Sequence, residues 1–104
     1  MDKFEYINEL LPFYEELLTD RQREIVQYYY YEDLSLSEIS EILKISRNAV
    51  YDTLKKVEKS LEEYEAKLRL SADYQQRMLL YQKLKDSSDA EVNKIADELI
   101  KMED

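Results

Sequence analysis

Residues 35–56 read SLSEISEILKISRNAVYDTLKK, and this segment carries the clearest structural signals in the chain. Ser35 and Glu38 form a capping box. The Ser35 hydroxyl accepts a hydrogen bond from the Glu38 amide, and the Glu38 carboxylate accepts one from the Ser35 amide. Ile39 and Leu43 follow at helical spacing and share one face. The segment therefore begins with a short helix of about two turns.

A second helix begins almost immediately after the first. Ser46 is a good N-cap residue, and Val50 and Leu54 continue an apolar stripe behind it. Two capped helices joined by a tight turn, with a further helix in front, form the arrangement of a helix-turn-helix module. The second helix of such a pair enters the major groove of DNA, so we expect the helix after Ser46 to be the recognition helix.

The residues before this module predict two more helices. Residues 4–18 place apolar side chains at helical spacing, but Pro12 lies among them and predicts either a kink or a helix that begins near this proline. Thr19 and Gln22 form another capping box, which starts a helix over residues 20–31.

Four consecutive tyrosines, residues 28–31, end that helix. Aromatic side chains can stack on unpaired nucleic-acid bases. Consecutive residues of a helix point in different directions, however, so these tyrosines cannot share one face. Packing in the core is therefore the favoured interpretation.

The helix after Ser46 is long, and its apolar residues alternate at intervals of four and three. This heptad pattern is typical of a helix that packs along a partner helix. The partner is either the last two helices of the same chain or a second copy, and we expect a homodimer. The predicted dimer seam consists of Val57, Leu61, Tyr64 and Leu68.

The remainder of the chain predicts two further helices that form a C-terminal hairpin. Ser88 and Glu91 match a third capping box and place the boundary between them. The fold class is therefore all-α: a helix-turn-helix head over residues 2–59, and a helical extension over residues 60–104 that supports dimerisation within one continuous structural unit.

The composition excludes several classes of chemistry. The 104 residues include no Cys, His or Gly and a single Pro, and the formal net charge is −9. Without Cys or His there is no thiol nucleophile, imidazole base or ordinary zinc site, so we expect no enzyme, cofactor or metal centre. No apolar stretch approaches the roughly 18 residues of a membrane span, which predicts a cytoplasmic protein without membrane contact.

The charge is unevenly distributed and favours one nucleic-acid-binding segment. Residues 46–59 contain four cations and two anions, a local charge of +2 in an acidic chain. Arg can pair with guanine and Asn with adenine, while Lys and Ser suit phosphates, so we expect duplex DNA in preference to RNA. The candidate contact residues are Ser46, Arg47, Asn48, Tyr51, Lys55, Lys56 and Lys59, with Arg21 and Arg23 beside them.

Residues 17–55 resemble the region-4 domain of bacterial sigma factors and the related DNA-binding domain of response regulators. The matching words are LTDRQRE at 18–24, YYEDLSLSEI at 30–39 and ISRNAVY at 45–51. This resemblance implies a bacterial DNA-binding protein that acts in transcription regulation.

Over residues 13–70 the sequence is similar to the YlxM family of small helix-turn-helix proteins. The matching words are FYEELLT at 13–19, SRNAVYD at 46–52 and LEEYEAKL at 61–68. The resemblance implies a regulatory role in the bacterial signal recognition particle pathway. The alternative is a protein-interaction module that binds a component of the targeting machinery without nucleic-acid contact, which the acidic net charge favours.

One position departs from the usual helix-turn-helix pattern. A glycine in the left-handed conformation commonly fills the turn, and Lys44 stands there in this chain. A non-glycine residue in that conformation costs about 1–2 kcal/mol. We therefore expect either a strained turn at Lys44 or a different backbone path.

Overall fold

The computed structural model describes all 104 residues and contains six α-helices and no strand, which confirms the all-α prediction. The helices are α1 (Lys3–Tyr14), α2 (Asp20–Val26), α3 (Leu36–Leu43), α4 (Arg47–Leu68), α5 (Leu70–Lys85) and α6 (Ala90–Lys101). A 3₁₀ turn over Glu15–Leu17 follows α1, and a π turn over Gln27–Tyr31 follows α2.

The chain divides into two compact units, residues 1–69 and 70–104. The first unit therefore extends further along α4 than the boundary predicted after Lys59. The reason is that the second half of α4 also packs against α1, where the Tyr14 hydroxyl donates to the Glu65 carboxylate at 2.6 Å. An ion pair between Lys3 and Glu62 also joins these two helices.

Two of the three predicted capping boxes are confirmed. The Gln22 amide donates to the Thr19 hydroxyl at 3.1 Å, and the Glu38 amide donates to the Ser35 hydroxyl at 3.1 Å, each with the reciprocal bond present. The hydrogen bond from the Ser35 amide is the main cause that holds the pKa of Glu38 below its usual value. Stability from this cap is consequently lost as the pH falls through that lowered pKa.

The third predicted capping box is wrong. The N-cap of α6 is Asp89 instead of Ser88, and its carboxylate accepts from the amides of Glu91 at 2.9 Å and Val92 at 3.4 Å. An aspartate at this position places a negative charge at the positive end of the helix, which a serine cannot do.

Pro12 neither starts nor ends the first helix. Asp2 caps α1 through a 2.8 Å bond from the Glu5 amide, so the helix begins at Lys3 and contains the proline. The Pro12 ring lies on the exposed side of α1. The helix ends two residues later, at Tyr14, where the chain tightens into the 3₁₀ turn.

The core of the first unit is built from α1, α2, α3 and α4. Two residues of the predicted dimer seam, Val57 and Leu61, are completely buried in this core. The heptad face of α4 packs against α1 and α2 of its own chain. Val57 and Leu61 therefore cannot present a surface to a second copy, which corrects this part of the seam prediction. Tyr64 is half-buried against the same core, and Leu68 remains exposed.

The tyrosine run packs as the core interpretation expects. Tyr30 is buried and stacks on Phe4 with ring centroids 4.9 Å apart. The Tyr29 ring packs edge-on against the Tyr30 ring, with centroids 5.0 Å apart. Burial raises the pKa of Tyr30 well above its usual range. Tyr31 is more exposed, and its hydroxyl donates to Glu15 at 2.8 Å.

In place of glycines, the chain uses three other residues with positive φ, at Asp33, Lys44 and Arg69. Lys44 has φ 56° and ψ 44°, which is the left-handed conformation of the usual helix-turn-helix glycine. The turn therefore keeps the usual backbone and carries the strain of a side chain there.

Replacing Lys44 with glycine is expected to raise the free energy of unfolding by about 1 kcal/mol. Relief of the left-handed strain exceeds the added freedom of glycine in the unfolded chain. Lys56→Gly is the matched control, because Lys56 is an exposed residue inside α4 and the same change there costs about 1 kcal/mol. Urea unfolding of the two variants should show shifts of opposite sign; a destabilised Lys44→Gly would contradict the assigned turn.

The second unit is an antiparallel helical hairpin. Arg77 of α5 pairs with Glu103, just after α6, through two bonds of 2.7 and 3.1 Å, and the Tyr81 hydroxyl donates to the same carboxylate at 2.6 Å. Lys85 contacts Asp97 at 2.9 Å. The Arg77 bond is the main cause that lowers the pKa of Glu103.

Candidate nucleic-acid interface

The turn between α3 and α4 consists of Lys44, Ile45 and Ser46. The Ile45 amide donates to the Ser40 carbonyl at 3.2 Å, and its side chain is half-buried against the core. Ile39 of α3 and Val50 of α4 are completely buried beside it. The two helices are thus locked together as a helix-turn-helix pair with α4 in the position of the recognition helix.

The N-terminus of α4 leaves two backbone donors unused. The Ser46 hydroxyl accepts from the Ala49 amide at 3.0 Å, and the Ser46 carbonyl accepts from the Val50 amide at 3.2 Å. The amides of Arg47 and Asn48 have no such partner within the helix. Together with the positive end of the helix dipole, these two donors suit a phosphate oxygen.

Arg47, Tyr51 and Lys55 follow one another at intervals of four residues and are all exposed. This spacing places them in one row along the helix surface. The Lys55 ammonium lies 5.4 Å from the centre of the Tyr51 ring, which holds the two side chains together, and it contacts Glu58 at 3.5 Å. An exposed ion pair of this kind is worth little, so a phosphate can displace it.

The other residues predicted on α4 lie in or beside this row. Lys59 continues it four residues after Lys55, Asn48 is exposed beside it, and Lys56 lies further round the helix. No ion pair occupies Arg47, Lys56 or Lys59, so their charges are available to a ligand. We call the exposed set on α4 the recognition face; it consists of Arg47, Asn48, Tyr51, Lys55, Lys56 and Lys59.

The two predicted arginines of α2 lie in a less favourable setting. Arg21 pairs with Glu24 at 3.0 Å, and Arg23 lines a shallow depression together with Glu15, Asp20 and Glu24. These carboxylates offset the positive charge of both arginines. Arg21 and Arg23 are exposed, but they offer a phosphate less attraction than the recognition face does.

One apolar residue of the module was not singled out from the sequence. Ile42 of α3 is half-exposed, whereas its neighbours Ile39 and Leu43 face inward. The sequence predicts that Ile39 and Leu43 share the inner face, but it gives no sign that Ile42 remains exposed at the edge of the same apolar stripe.

The structure contains no group of three or more acidic residues placed to hold a metal ion. None of its helices is both long and apolar enough to span a membrane.

Comparison with known proteins assigns the chain to a protein family. The model of the UPF0122 family, described as "Putative helix-turn-helix protein, YlxM / p13 like", matches residues 1–101. The chain belongs to the UPF0122 family. This membership confirms the YlxM resemblance and supports the helix-turn-helix assignment of α3 and α4.

The relatives are bacterial UPF0122 proteins of similar length. A relative from Oceanobacillus iheyensis is 52% identical over 85 residues, which cover 82% of this chain and 81% of the relative. One from Caldanaerobacter subterraneus is 53% identical over 85 residues, covering 82% and 73%. One from Halalkalibacterium halodurans is 46% identical over 89 residues, covering 86% and 82%.

Proposed function

We propose that this UPF0122 protein binds duplex DNA through the recognition face. The observation that carries the proposal is the exposed row of Arg47, Tyr51 and Lys55, which starts at the first residue of a helix placed directly after a helix-turn-helix turn. In such modules the N-terminal residues of the recognition helix contact base edges in the major groove.

Each group of the recognition face has a distinct part in binding. The free amides at the start of α4 hold a phosphate and set the position of the helix on the duplex. Arg47 reads a guanine through two hydrogen bonds, and Asn48 reads an adenine in the same way. Lys55, Lys56 and Lys59 contact phosphates and supply affinity without sequence preference.

Binding is expected to weaken steeply with salt, because phosphate contacts release counterions from the DNA. Lys55→Ala should reduce the slope of log affinity against log salt by about 1, with equal effect on all duplex sequences. Lys67→Ala is the matched control, since Lys67 is exposed near the other end of the same helix. Fluorescence anisotropy at several salt concentrations measures both slopes; equal slopes for the two variants would exclude Lys55 as a phosphate contact.

We further propose a regulatory role, in transcription or in the signal recognition particle pathway. The transcriptional role rests on the similarity to sigma factor region-4 domains, and the targeting role rests on the YlxM resemblance. The transcriptional role needs duplex DNA, whereas the targeting role is served by structured RNA as well. Selective binding of a structured RNA pool, measured in parallel with randomised duplex DNA, would therefore exclude the transcriptional role.

A protein partner for the module is the competing interpretation. The half-exposed Ile42 and the acidic net charge of −9 favour it, because apolar contacts and a basic partner suit this surface. Such an interface would depend on Ile42 and would tolerate Lys55→Ala. The salt-slope comparison therefore distinguishes the two functions.

A further inference from the structure

The second unit has almost no interior of its own. Its two helices have 16 and 12 residues, and only Ser71 and Ala96 are buried in them. Tyr74, Met78 and Leu99 are only partly buried. A helical pair of this size buries little apolar surface between its own helices.

The contacts inside the hairpin define which side of each helix faces the other. Arg77, Tyr81 and Lys85 follow one another at intervals of four and mark the inner row of α5, because they contact Glu103 and Asp97 across the hairpin. Ala96 is the buried centre of the inner row of α6. The remaining apolar side chains can therefore be placed relative to these rows.

Four exposed apolar residues lie on one face of the hairpin. At 3.6 residues per turn, Leu80 and Leu84 lie about a quarter turn to one side of the inner row of α5. Ile95 and Met102 lie about a quarter turn from the inner row of α6, and the antiparallel pairing brings them to the same side. We call this set the open face; its exposed fractions are 52% for Leu80, 37% for Leu84, 46% for Ile95 and 81% for Met102.

The two halves of the hairpin carry opposite charge. Residues 70–85 contain three cations and one anion, whereas residues 86–104 contain two cations and seven anions. A partner that presents an acidic helix to α5 and a basic helix to α6 is therefore complementary to this unit. A second copy of the same hairpin presents both.

We propose that the open face is a homodimer interface in which two hairpins form a four-helix bundle. A two-fold axis parallel to the helices places α5 of each copy beside α6 of the other, so all neighbouring helices are antiparallel and oppositely charged. The interface is self-complementary and covers the four exposed apolar residues. It replaces the seam expected along α4, whose central residues the first unit already buries.

The test compares two adjacent leucines of α5 in the full chain. Leu80→Glu introduces a charge into the open face, whereas Leu79→Glu changes a leucine that is 70% exposed and points away from it. Sedimentation equilibrium should give the wild type and Leu79→Glu twice the 12.6 kDa of one chain, with at least a tenfold weaker dimer for Leu80→Glu. Circular dichroism checks that the helices persist, and Ile95→Glu repeats the test from α6.

Three outcomes overturn the proposal. The first is a wild-type chain that stays at 12.6 kDa throughout the micromolar range. The second is equal dissociation by Leu79→Glu and Leu80→Glu. The third is a monomer that binds a different protein through Leu80, which would assign the open face to that partner. The nucleic-acid measurements above do not depend on this result.

Discussion

Replacing Arg47 with alanine is expected to weaken binding to a preferred duplex by roughly 5- to 150-fold, because a bidentate contact to guanine is worth about 1–3 kcal/mol. The arginine is exposed at the first residue of α4 and takes part in no ion pair, so its removal leaves the core untouched. The preference at one base pair should disappear together with the affinity.

Arg47→Lys is the control that separates base reading from simple attraction. Lysine keeps the positive charge but lacks the planar pair of donors that matches guanine. We expect Arg47→Lys to retain the salt dependence of the wild type while losing the base preference. Full retention of that preference by Arg47→Lys would contradict a bidentate contact, and an unchanged affinity in Arg47→Ala would remove Arg47 from the interface.

The largest loss of stability is expected at Leu61. This residue is completely buried among helices of its own chain, and truncation of a buried leucine to alanine costs about 2–5 kcal/mol. Leu68→Ala is the matched control on the same helix, because Leu68 is exposed and loses little packing. Urea unfolding followed by circular dichroism measures both free energies.

The comparison of Leu61 with Leu68 also tests the corrected seam. A Leu61→Ala variant that is no less stable than Leu68→Ala would show that the first unit does not bury this face of α4. The heptad residues of α4 would then again be the predicted interface between two copies of the chain.

Features set by neighbouring residues could be predicted from the sequence. The caps at Thr19, Ser35 and Ser46 depend on groups within a few residues, so they fix the starts of α2, α3 and α4. Lys44 could be assigned to the turn for the same reason. The exposure of the recognition face followed from the apolar stripe on the opposite side of α4.

Features that depend on packing between distant residues could not be predicted from the sequence. A heptad pattern shows that Val57 and Leu61 meet another helix, but the same pattern arises whether that helix belongs to the same chain or to a second copy. Ser88 and Asp89 are both good caps, and only the backbone path selects Asp89. The carboxylates around Arg23 come from two separate segments, so their offsetting effect appears only in the folded chain.

The most direct test of the proposed function is selection of bound nucleic acid by the purified 104-residue chain. Randomised duplex DNA and structured RNA are offered in parallel, and wild type is compared with Arg47→Ala. If the recognition face binds duplex DNA, the wild type enriches duplexes with a shared short sequence and Arg47→Ala enriches none. Enrichment of neither pool by the wild type, or the same sequences enriched by both proteins, would contradict it.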